Sequence, residues 1–116
     1  MRIYIAGPLT TGGERETRNL RKALEAAEVV ARLGHTPIVP HLMLTWDQVF
    51  PHDYDFWMRL CRGLLEGCEG LVRLPGISKG ADTEEQWAGE LGIPVAFAWN
   101  GEVDCAVFRL QRSKAA

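Results

Sequence analysis

The chain has 116 residues, of which 47% are hydrophobic and 24% are charged, and we expect one globular domain over residues 1–116. Its net charge of −2 argues against binding to a nucleic-acid polymer or an anionic membrane surface. No apolar run approaches the roughly 20 residues that span a bilayer, and the run MRIYIAGPL is too short for a signal peptide, so we expect a cytoplasmic protein.

The chain begins with a short strand and a long helix. Residues 2–6 form an apolar run that predicts a buried strand, and this run ends at Gly7-Pro8. Apolar side chains recur at helical spacing over residues 16–33. Gly34 follows, and glycine commonly closes a helix in the left-handed conformation.

A second strand and a second helix follow, with a long connection between them. Residues 35–40, with TPIVP at their centre, predict the strand, and residues 40–51 predict an aromatic connection. The second helix is expected to begin at His52 or Asp53 and to end near Gly67, because its apolar residues again keep a helical period.

The last part of the chain repeats the alternation. Residues 70–74 predict a third strand, the next helix is closed by Gly92, and residues 93–99 predict a fourth strand. Residues 102–110 are compatible with a last strand or a short helix, and we expect residues 111–116 to fray.

Alternating strands and long helices favour an α/β fold with three layers. The expected fold is flavodoxin-like or Rossmann-like, with a parallel sheet of four to five strands in the order 2-1-3-4(-5) and helices on both faces. Strands one and three are then neighbours, and ligands bind at their carboxyl ends. The loops at this edge are AGPLTTGG and LPGISKGAD; both are rich in glycine, which lets backbone amides approach a ligand.

Glu84 is the leading candidate for chemistry. Helical spacing places Ala81, Glu84, Ala88 and Leu91 on one face, which we expect to pack against the sheet, with Glu84 in the first turn and Glu85 facing solvent. An inward carboxylate is costly to bury, so it is a candidate functional group. The alternative is that Glu84 only stabilises the positive end of the helix dipole.

The turn from Ser78 to Ala81 has two interpretations. Ser78 can cap the following helix by accepting from free backbone amides. The same amides, with Lys79 nearby, can hold a phosphate or a sugar hydroxyl. The sequence matches neither a Walker loop nor the dinucleotide fingerprint.

Three further polar or aromatic residues are candidates for ligand contact. Trp46 lies in the long connection, where its ring can stack on a planar base or pack in the core. Asp55 stands near a helix start, where an acid reaches a ligand or forms a cap. Asn19 lies near the start of the first helix, and it can bind a ligand or cap a turn.

The cysteines and histidines predict neither a metal site nor a disulfide. Cys61 and Cys68 are seven residues apart on one predicted helix, so roughly 10 Å separates their backbones, which exceeds disulfide reach. Cys105 is distant in sequence, and the three histidines lack metal-ligand spacing. We expect no cofactor.

Several short motifs together resemble the nucleoside 2-deoxyribosyltransferase superfamily, in particular its small bacterial and phage-type branch. The resemblance extends from Ile3 to about Phe97. It rests on the order and spacing of these segments: YIAGPLT, Asn19, Leu33-Gly34, VPH, Trp57-Met58-Arg59, Cys68-Glu69-Gly70-Leu71-Val72, LPG, the frame S-x-G-A-x-x-E-x-x-x-A from Ser78 to Ala88, and GIPV.

The resemblance implies cleavage or transfer at the N-glycosidic bond of nucleosides or nucleotides. The family's nucleophilic glutamate corresponds to Glu84. It further implies a small nucleoside or nucleotide as partner and a homodimer or higher homo-oligomer. The residues expected to contact substrate are Gly7, Pro8, Asn19, Trp46, Asp55, Gly76, Ser78, Gly80 and Ala81.

The chain departs from the family pattern at Cys61. Active members usually carry an aspartate eight residues before the acid of a C-D pair, and here Cys61 stands eight residues before Glu69. A thiol does not protonate a leaving base as a carboxyl group does, although Asp53 or Asp55 could substitute. A second hypothesis is therefore a non-catalytic module that binds a nucleotide or nucleotide-sugar.

Overall fold

A computed structural model describes residues 1–9 and 16–115 of the chain. The strands are β1 (Arg2–Ala6), β2 (Thr36–Ile38), β3 (Gly70–Arg73) and β4 (Val95–Phe97). The helices are α1 (Glu16–Arg32), α2 (Met43–Val49), α3 (Tyr54–Glu66), α4 (Lys79–Leu91) and α5 (Val103–Ala115). Short 3₁₀ turns occupy Pro40–Leu42 and Trp99–Gly101.

The four strands form one parallel sheet in the order β2-β1-β3-β4. This confirms the predicted α/β fold and the central position of β1 and β3. Side chains of a strand alternate between the two faces of the sheet, so Ile3 and Ile5 pack on one side and Tyr4 and Ala6 on the other. Helices therefore cover both faces, as expected for parallel strands that are buried on each side.

Each face of the sheet is covered by one pair of helices. Helix α1 contacts α5, and α3 contacts α4. The first pair closes an apolar cluster that includes Val30, Val107 and Leu110. The second pair closes a cluster that includes Leu65 and Leu71. None of the described helices combines the length and the apolar character needed to cross a membrane.

Two parts of the chain differ from the sequence-based expectation. The connection over residues 40–51 contains a 3₁₀ turn and helix α2. Helix α2 has only seven residues, which are too few to show a helical period in the sequence. Residues 103–115 form one helix, so they add no fifth strand, and the helix continues past Gln111 where fraying was expected. Burial of Val103, Val107 and Leu110 against the sheet explains why this helix is ordered.

The ends of the helices mostly follow the predicted signals. Helix α3 is capped by Asp53, whose Oδ1 accepts from the backbone N–H of Phe56 at 2.9 Å. Gly92 closes α4 with φ of 73°, and a left-handed glycine at this position satisfies carbonyls at the helix end. Leu91 was expected on the inner face of α4 but is 38% exposed, and it is the last residue of the helix.

Candidate active site

The candidate site lies at the carboxyl ends of β1 and β3, where α4 begins. The hydroxyl of Tyr4 donates a hydrogen bond to Oε2 of Glu84. Tyr4 is at the centre of β1 and faces α4, because alternate residues of the strand point to this side. Ala81, Glu84 and Ala88 are the buried residues of α4, so the predicted inner face of this helix is present.

Glu84 is buried more deeply than a residue that only stabilises a helix end. Its relative exposure is 6%, and it lies in the second turn of α4, not the first, because the helix begins at Lys79. Helix-dipole effects are largest within the first turn, which here holds Asp82. The dipole explanation therefore applies to Asp82 better than to Glu84.

Burial raises the pKa of Glu84 to about 7. The desolvation of the carboxylate is the main cause, and it is opposed by the hydrogen bond from Tyr4 and by the positive charge of Arg73. Near neutral pH the side chain is therefore close to half ionised. A carboxyl group with such a pKa can act as a nucleophile or exchange protons under ordinary conditions.

Cys61 completes a row of three polar groups in this pocket. It is one of the buried residues of α3, and it lies in the same buried cluster as Tyr4. Burial and the nearby charge of Glu84 raise the pKa of the Cys61 thiol to about 11, so it remains protonated at neutral pH.

Arg73 ties the loop after β3 to the start of α4. Its Nη1 donates to Asp82 at 2.8 Å and to Glu85 at 3.1 Å, and its Nη2 and Nε donate to the carbonyls of Gly76 at 2.6 Å and Leu74 at 2.9 Å. Glu85 was expected to face solvent, but its side chain is only 27% exposed because this ion pair holds it against the strand end.

The two predicted loops contact each other through glycine. A Cβ atom on Gly76 would lie 2.7 Å from Cγ of Pro8, and one on Gly7 would lie 2.9 Å from Cβ of Leu74. Gly76 also has φ of 120°, a conformation that other residues rarely adopt. These glycines therefore allow the strand ends to approach closely. Gly12 and Gly13 of the first loop lie outside the described residues.

The turn before α4 forms the predicted cap. The Oγ atom of Ser78 accepts from the backbone N–H of Ala81 at 3.1 Å, so this amide is already bonded. A Cβ atom on Gly80 would meet the hydroxyl of Tyr54 at 3.5 Å and Sδ of Met58 at 3.7 Å. Both are ordinary van der Waals distances, so the start of α3 packs beside the start of α4 without requiring a glycine there.

His41 supports the end of β1 from the other side. Its Nε2 lies 3.1 Å from the carbonyl oxygen of Gly7. The side chain is buried, and its Nδ1 has no hydrogen-bond partner among residues 1–9 and 16–115. Burial lowers the pKa of His41, although hydrogen bonds to the Gly7 and Pro8 carbonyls act in the opposite direction. The neutral imidazole therefore donates from Nε2 to Gly7.

Three of the predicted binding residues line a different cavity. A cavity of about 450 Å³ between α1 and the two loops is bordered by Pro8, Asn19 and Gly76. Asn19 is buried, and its Nδ2 donates to the carbonyl of Leu9 at 2.9 Å. Glu84 does not border this cavity, so the predicted residues divide between the two sides of the loops.

Trp46 lies in a cluster of aromatic rings on α2 and α3. Its ring makes edge contacts to Trp57 at 5.2 Å and to Phe56 at 6.1 Å, and 47% of the residue is exposed. The indole N–H of Trp57 donates to Asp47 at 2.8 Å, which fixes the cluster. These contacts give Trp46 a packing role and leave part of its surface open.

Asp55 lies in the first turn of α3 and is exposed. Burial is the main cause that raises the pKa of Tyr54, and electrostatic interactions with Glu84, Cys61 and Asp55 raise it further. Tyr54 is 53% exposed, so a phenol ring borders the entrance to the site. Among the described residues, no three histidine, cysteine, aspartate or glutamate side chains come together as a metal site.

A family model described as "Domain of unknown function (DUF4406)" matches residues 1–97. The chain belongs to this family. No curated protein sequence matches the chain.

Solved structures of other proteins have a similar fold. A 2-deoxyribosyltransferase from Bacillus psychrosaccharolyticus is similar, with 20% identity, a TM-score of 0.56, and coverage of 84% of this chain and 71% of that one. A 2-deoxyribosyltransferase from Leishmania mexicana is similar with 16% identity, a TM-score of 0.59, and coverage of 83% and 62%. The fold is therefore that of nucleoside 2-deoxyribosyltransferases, as the sequence motifs indicated.

The sequence analysis missed Tyr4, Arg73 and His41. Tyr4 was assigned only to a buried strand, although its position two residues before Ala6 places it on the face that α4 covers. An arginine within the apolar run LVRL was a further signal, because a buried cation requires acidic partners. His41 stands in the motif VPH at the end of β2, and nothing in the sequence indicated its bond to Gly7.

Proposed function

We propose that this protein cleaves or transfers at the N-glycosidic bond of nucleosides or nucleotides, with Glu84 as the nucleophile. The observation that carries the proposal is the buried carboxylate of Glu84, hydrogen bonded to Tyr4 at the carboxyl ends of the two central strands. Likeness to 2-deoxyribosyltransferases supports the fold, and the pocket chemistry supports the reaction class.

The proposed reaction has two steps. The Glu84 carboxylate attacks the anomeric carbon through an oxocarbenium-like transition state, and the carbon–nitrogen bond to the base breaks. The glycosyl ester is then attacked by a second base or by water, which releases the carboxylate with overall retention. Since Oε2 accepts from Tyr4, we assign the attack to Oε1.

The surrounding residues supply the conditions that this step requires. A nucleophilic carboxylate must be ionised but poorly solvated. Burial removes water from Glu84, while Tyr4 and Arg73 favour its charged form. We propose that the substrate lies along the loop ends and the pocket mouth, in contact with members of the predicted set Gly7, Pro8, Asn19, Trp46, Asp55, Gly76, Ser78, Gly80 and Ala81. We further propose that the chain acts as one domain, 1–116, in a homo-oligomer in the cytoplasm.

Release of free base from a broad substrate panel tests the proposal. The panel contains ribo- and 2′-deoxyribonucleosides, their 5′-monophosphates, and N-glycosides with a cationic base. We expect Glu84→Gln to lower turnover at least about 10³-fold, because no other group replaces the nucleophile. The matched control is Glu90→Gln in the last turn of the same helix, whose side chain is 54% exposed. No free base from any substrate contradicts the proposal.

A second candidate function is favoured by Cys61. A neutral thiol occupies the pocket position where the resemblance implied an acid, so the site could bind a nucleotide or nucleotide-sugar without turning it over. Thermal denaturation with the same panel separates the two functions. Stabilisation by a ligand without any release of base supports the binding module, and release that depends on Glu84 excludes it.

A further inference from the structure

The described side chains around Glu84 have an unusual composition. Tyr4 donates to its carboxylate, Cys61 lies in the same buried cluster as Tyr4, and the positive charge of Arg73 favours the ionised carboxylate. The two other acids at the start of α4, Asp82 and Glu85, are bonded to Arg73. Among the described residues, the pocket therefore presents Glu84 as its buried carboxyl group and places a thiol beside it.

This composition matters because of how a base leaves a sugar. A neutral nucleoside releases its base as an anion unless a general acid protonates the base, and such an acid typically contributes about 10²–10⁴-fold to the rate. Tyr4 and Cys61 are poor donors because their pKa values are raised, the latter to about 11. Glu84 itself is committed to attack on the sugar.

We infer that this site, if it acts as proposed above, takes N-glycosides whose base already carries a positive charge, such as N-glycosyl pyridinium compounds and N7-alkylated purine nucleosides. Such a base departs as a neutral molecule and requires no proton. The feature on which this inference rests is the thiol of Cys61, which is buried in the same cluster as Tyr4, the partner of Glu84.

Charge complementarity points to the same substrates. A cationic group in the pocket favours the ionised form of Glu84, so binding itself supplies the nucleophile in its reactive state. At the entrance, Tyr54 has a half-exposed ring, and its hydroxyl lies 3.5 Å from the position of a Cβ atom on Gly80. The face of a phenol ring attracts a cation, whereas it gives a neutral base no such preference.

The first step of the reaction requires no external acid. One oxygen of Glu84 forms a bond to the anomeric carbon, the carbon–nitrogen bond breaks, and its electron pair neutralises the ring nitrogen. Water then bonds to the anomeric carbon, the ester carbon–oxygen bond breaks, and the electron pair returns to the carboxylate. One proton of that water passes to solvent, so the products are the free sugar, the neutral base and a proton.

Matched substrate pairs test the inference. One pair is 7-methylguanosine and guanosine, and the other is nicotinamide riboside and its neutral dihydro form, each assayed with and without a 5′-phosphate. We expect the cationic member to be turned over about 10²–10⁴-fold faster, the range that a missing general acid explains. We expect Glu84→Gln to remove this turnover.

Variants at Cys61 distinguish the missing acid from the intrinsic lability of cationic substrates. Cys61→Asp should raise the ratio of neutral-substrate turnover to cationic-substrate turnover at least about tenfold. Cys61→Asn has the same shape as aspartate but no acid, so it should not raise turnover of the neutral substrates. If Cys61→Asp fails to fold, the substrate ratios of the unmodified protein decide once each is divided by the ratio of the uncatalysed hydrolysis rates of the same pair.

The outcomes separate the inference from the proposed function. Comparable turnover of both members of each pair overturns the inference but keeps the glycosidic reaction. Turnover of neither member overturns the reaction itself. Cationic turnover that survives Glu84→Gln, or neutral turnover that rises equally in Cys61→Asp and Cys61→Asn, overturns the inference.

Discussion

The two faces of the sheet are made from alternate residues of the same strands, yet they bury different chemistry. The face under α1 and α5 buries a cluster in which Ile3, Ile5, Val72, Val107 and Leu110 are apolar and almost fully covered. The opposite face, under α3 and α4, also has an apolar cluster, but this face buries the polar groups of Tyr4, Cys61 and Glu84 as well.

The difference shows where stability and chemistry are located. Burial of apolar surface stabilises the folded state by roughly 25 cal/mol per Å², so the α1–α5 face acts mainly as a support. Burial of an ionisable group costs free energy, so the α3–α4 face is less stable than the same helices with apolar residues there would be. Substitutions on the two faces should therefore have opposite effects.

The largest expected effect is on the apolar face. Leu110→Ala should lower the free energy of unfolding by about 2–5 kcal/mol, because it leaves a cavity beneath α5. Leu110 is 1% exposed and packs over Gly70, where an added Cβ would lie 2.9 Å from Cδ1 of the leucine. Urea denaturation at pH 7 measures the change. Phe108→Ala, at an exposed position of the same helix, is the control; an equal loss there would contradict the comparison.

The opposite sign is expected for Glu84→Gln. The pKa of Glu84 is raised from 4.5 to about 7. Below pH 4.5 Glu84 is therefore protonated in both states and does not lower the free energy of unfolding, which falls as the pH rises through about 7. The raised pKa corresponds to about 3 kcal/mol. Denaturation should show the variant to be more stable than the unmodified protein at pH 8 and similar at pH 4.5. Equal stabilities at pH 8 would show that Glu84 is hydrated.

A smaller loss is expected for Tyr4→Phe. The substitution removes the donor to Oε2 of Glu84, so the pKa of Glu84 should rise further and stability at pH 8 should fall by about 1–3 kcal/mol. Carboxyl carbon NMR during a pH titration measures the pKa, and urea denaturation measures the stability. Tyr54→Phe is the control, because it removes the hydroxyl of an exposed residue and should leave the pKa and the stability nearly unchanged. An equal change in Tyr54→Phe would contradict the assignment of Tyr4 as the residue bonded to Glu84.

The smallest effect is expected at the helix caps. Ser78→Ala removes the acceptor for the N–H of Ala81 and should cost about 1 kcal/mol. Asp53→Ala removes the corresponding cap of α3 and should cost a similar amount, measured by thermal denaturation. If Ser78→Ala also weakens nucleotide binding while Asp53→Ala does not, the Ser78 turn contributes to the site as well as to the helix.

Much of the fold was predictable because its signals are local. The apolar run of β1, the helical period of α1 and the glycine at position 92 each report on neighbouring residues in the chain. The strand order then follows from the alternation of elements. Helix α2 was not predictable because its seven residues are too few to show a helical period. The sequence left a strand and a helix open for residues 102–110, because the helical state of α5 depends on packing against the distant sheet.

The candidate site was predictable only in part. The phase of α4 indicated that Glu84 points inward, but its partner Tyr4 lies 80 residues away along the chain, and only the register of β1 against α4 brings the two together. The same holds for Arg73 and Glu85. Pro8 and Asn19 line the cavity beside α1, and no local sequence pattern specifies that placement.

The position of α5 bears on how this protein is handled in the laboratory. The family match ends at residue 97, but the buried residues Val103, Ala106, Val107 and Leu110 all come later. A recombinant fragment trimmed to the match would leave one side of the sheet open to water and prone to aggregation. Fragments intended for crystallisation or deep mutational scanning should therefore retain the helix that follows.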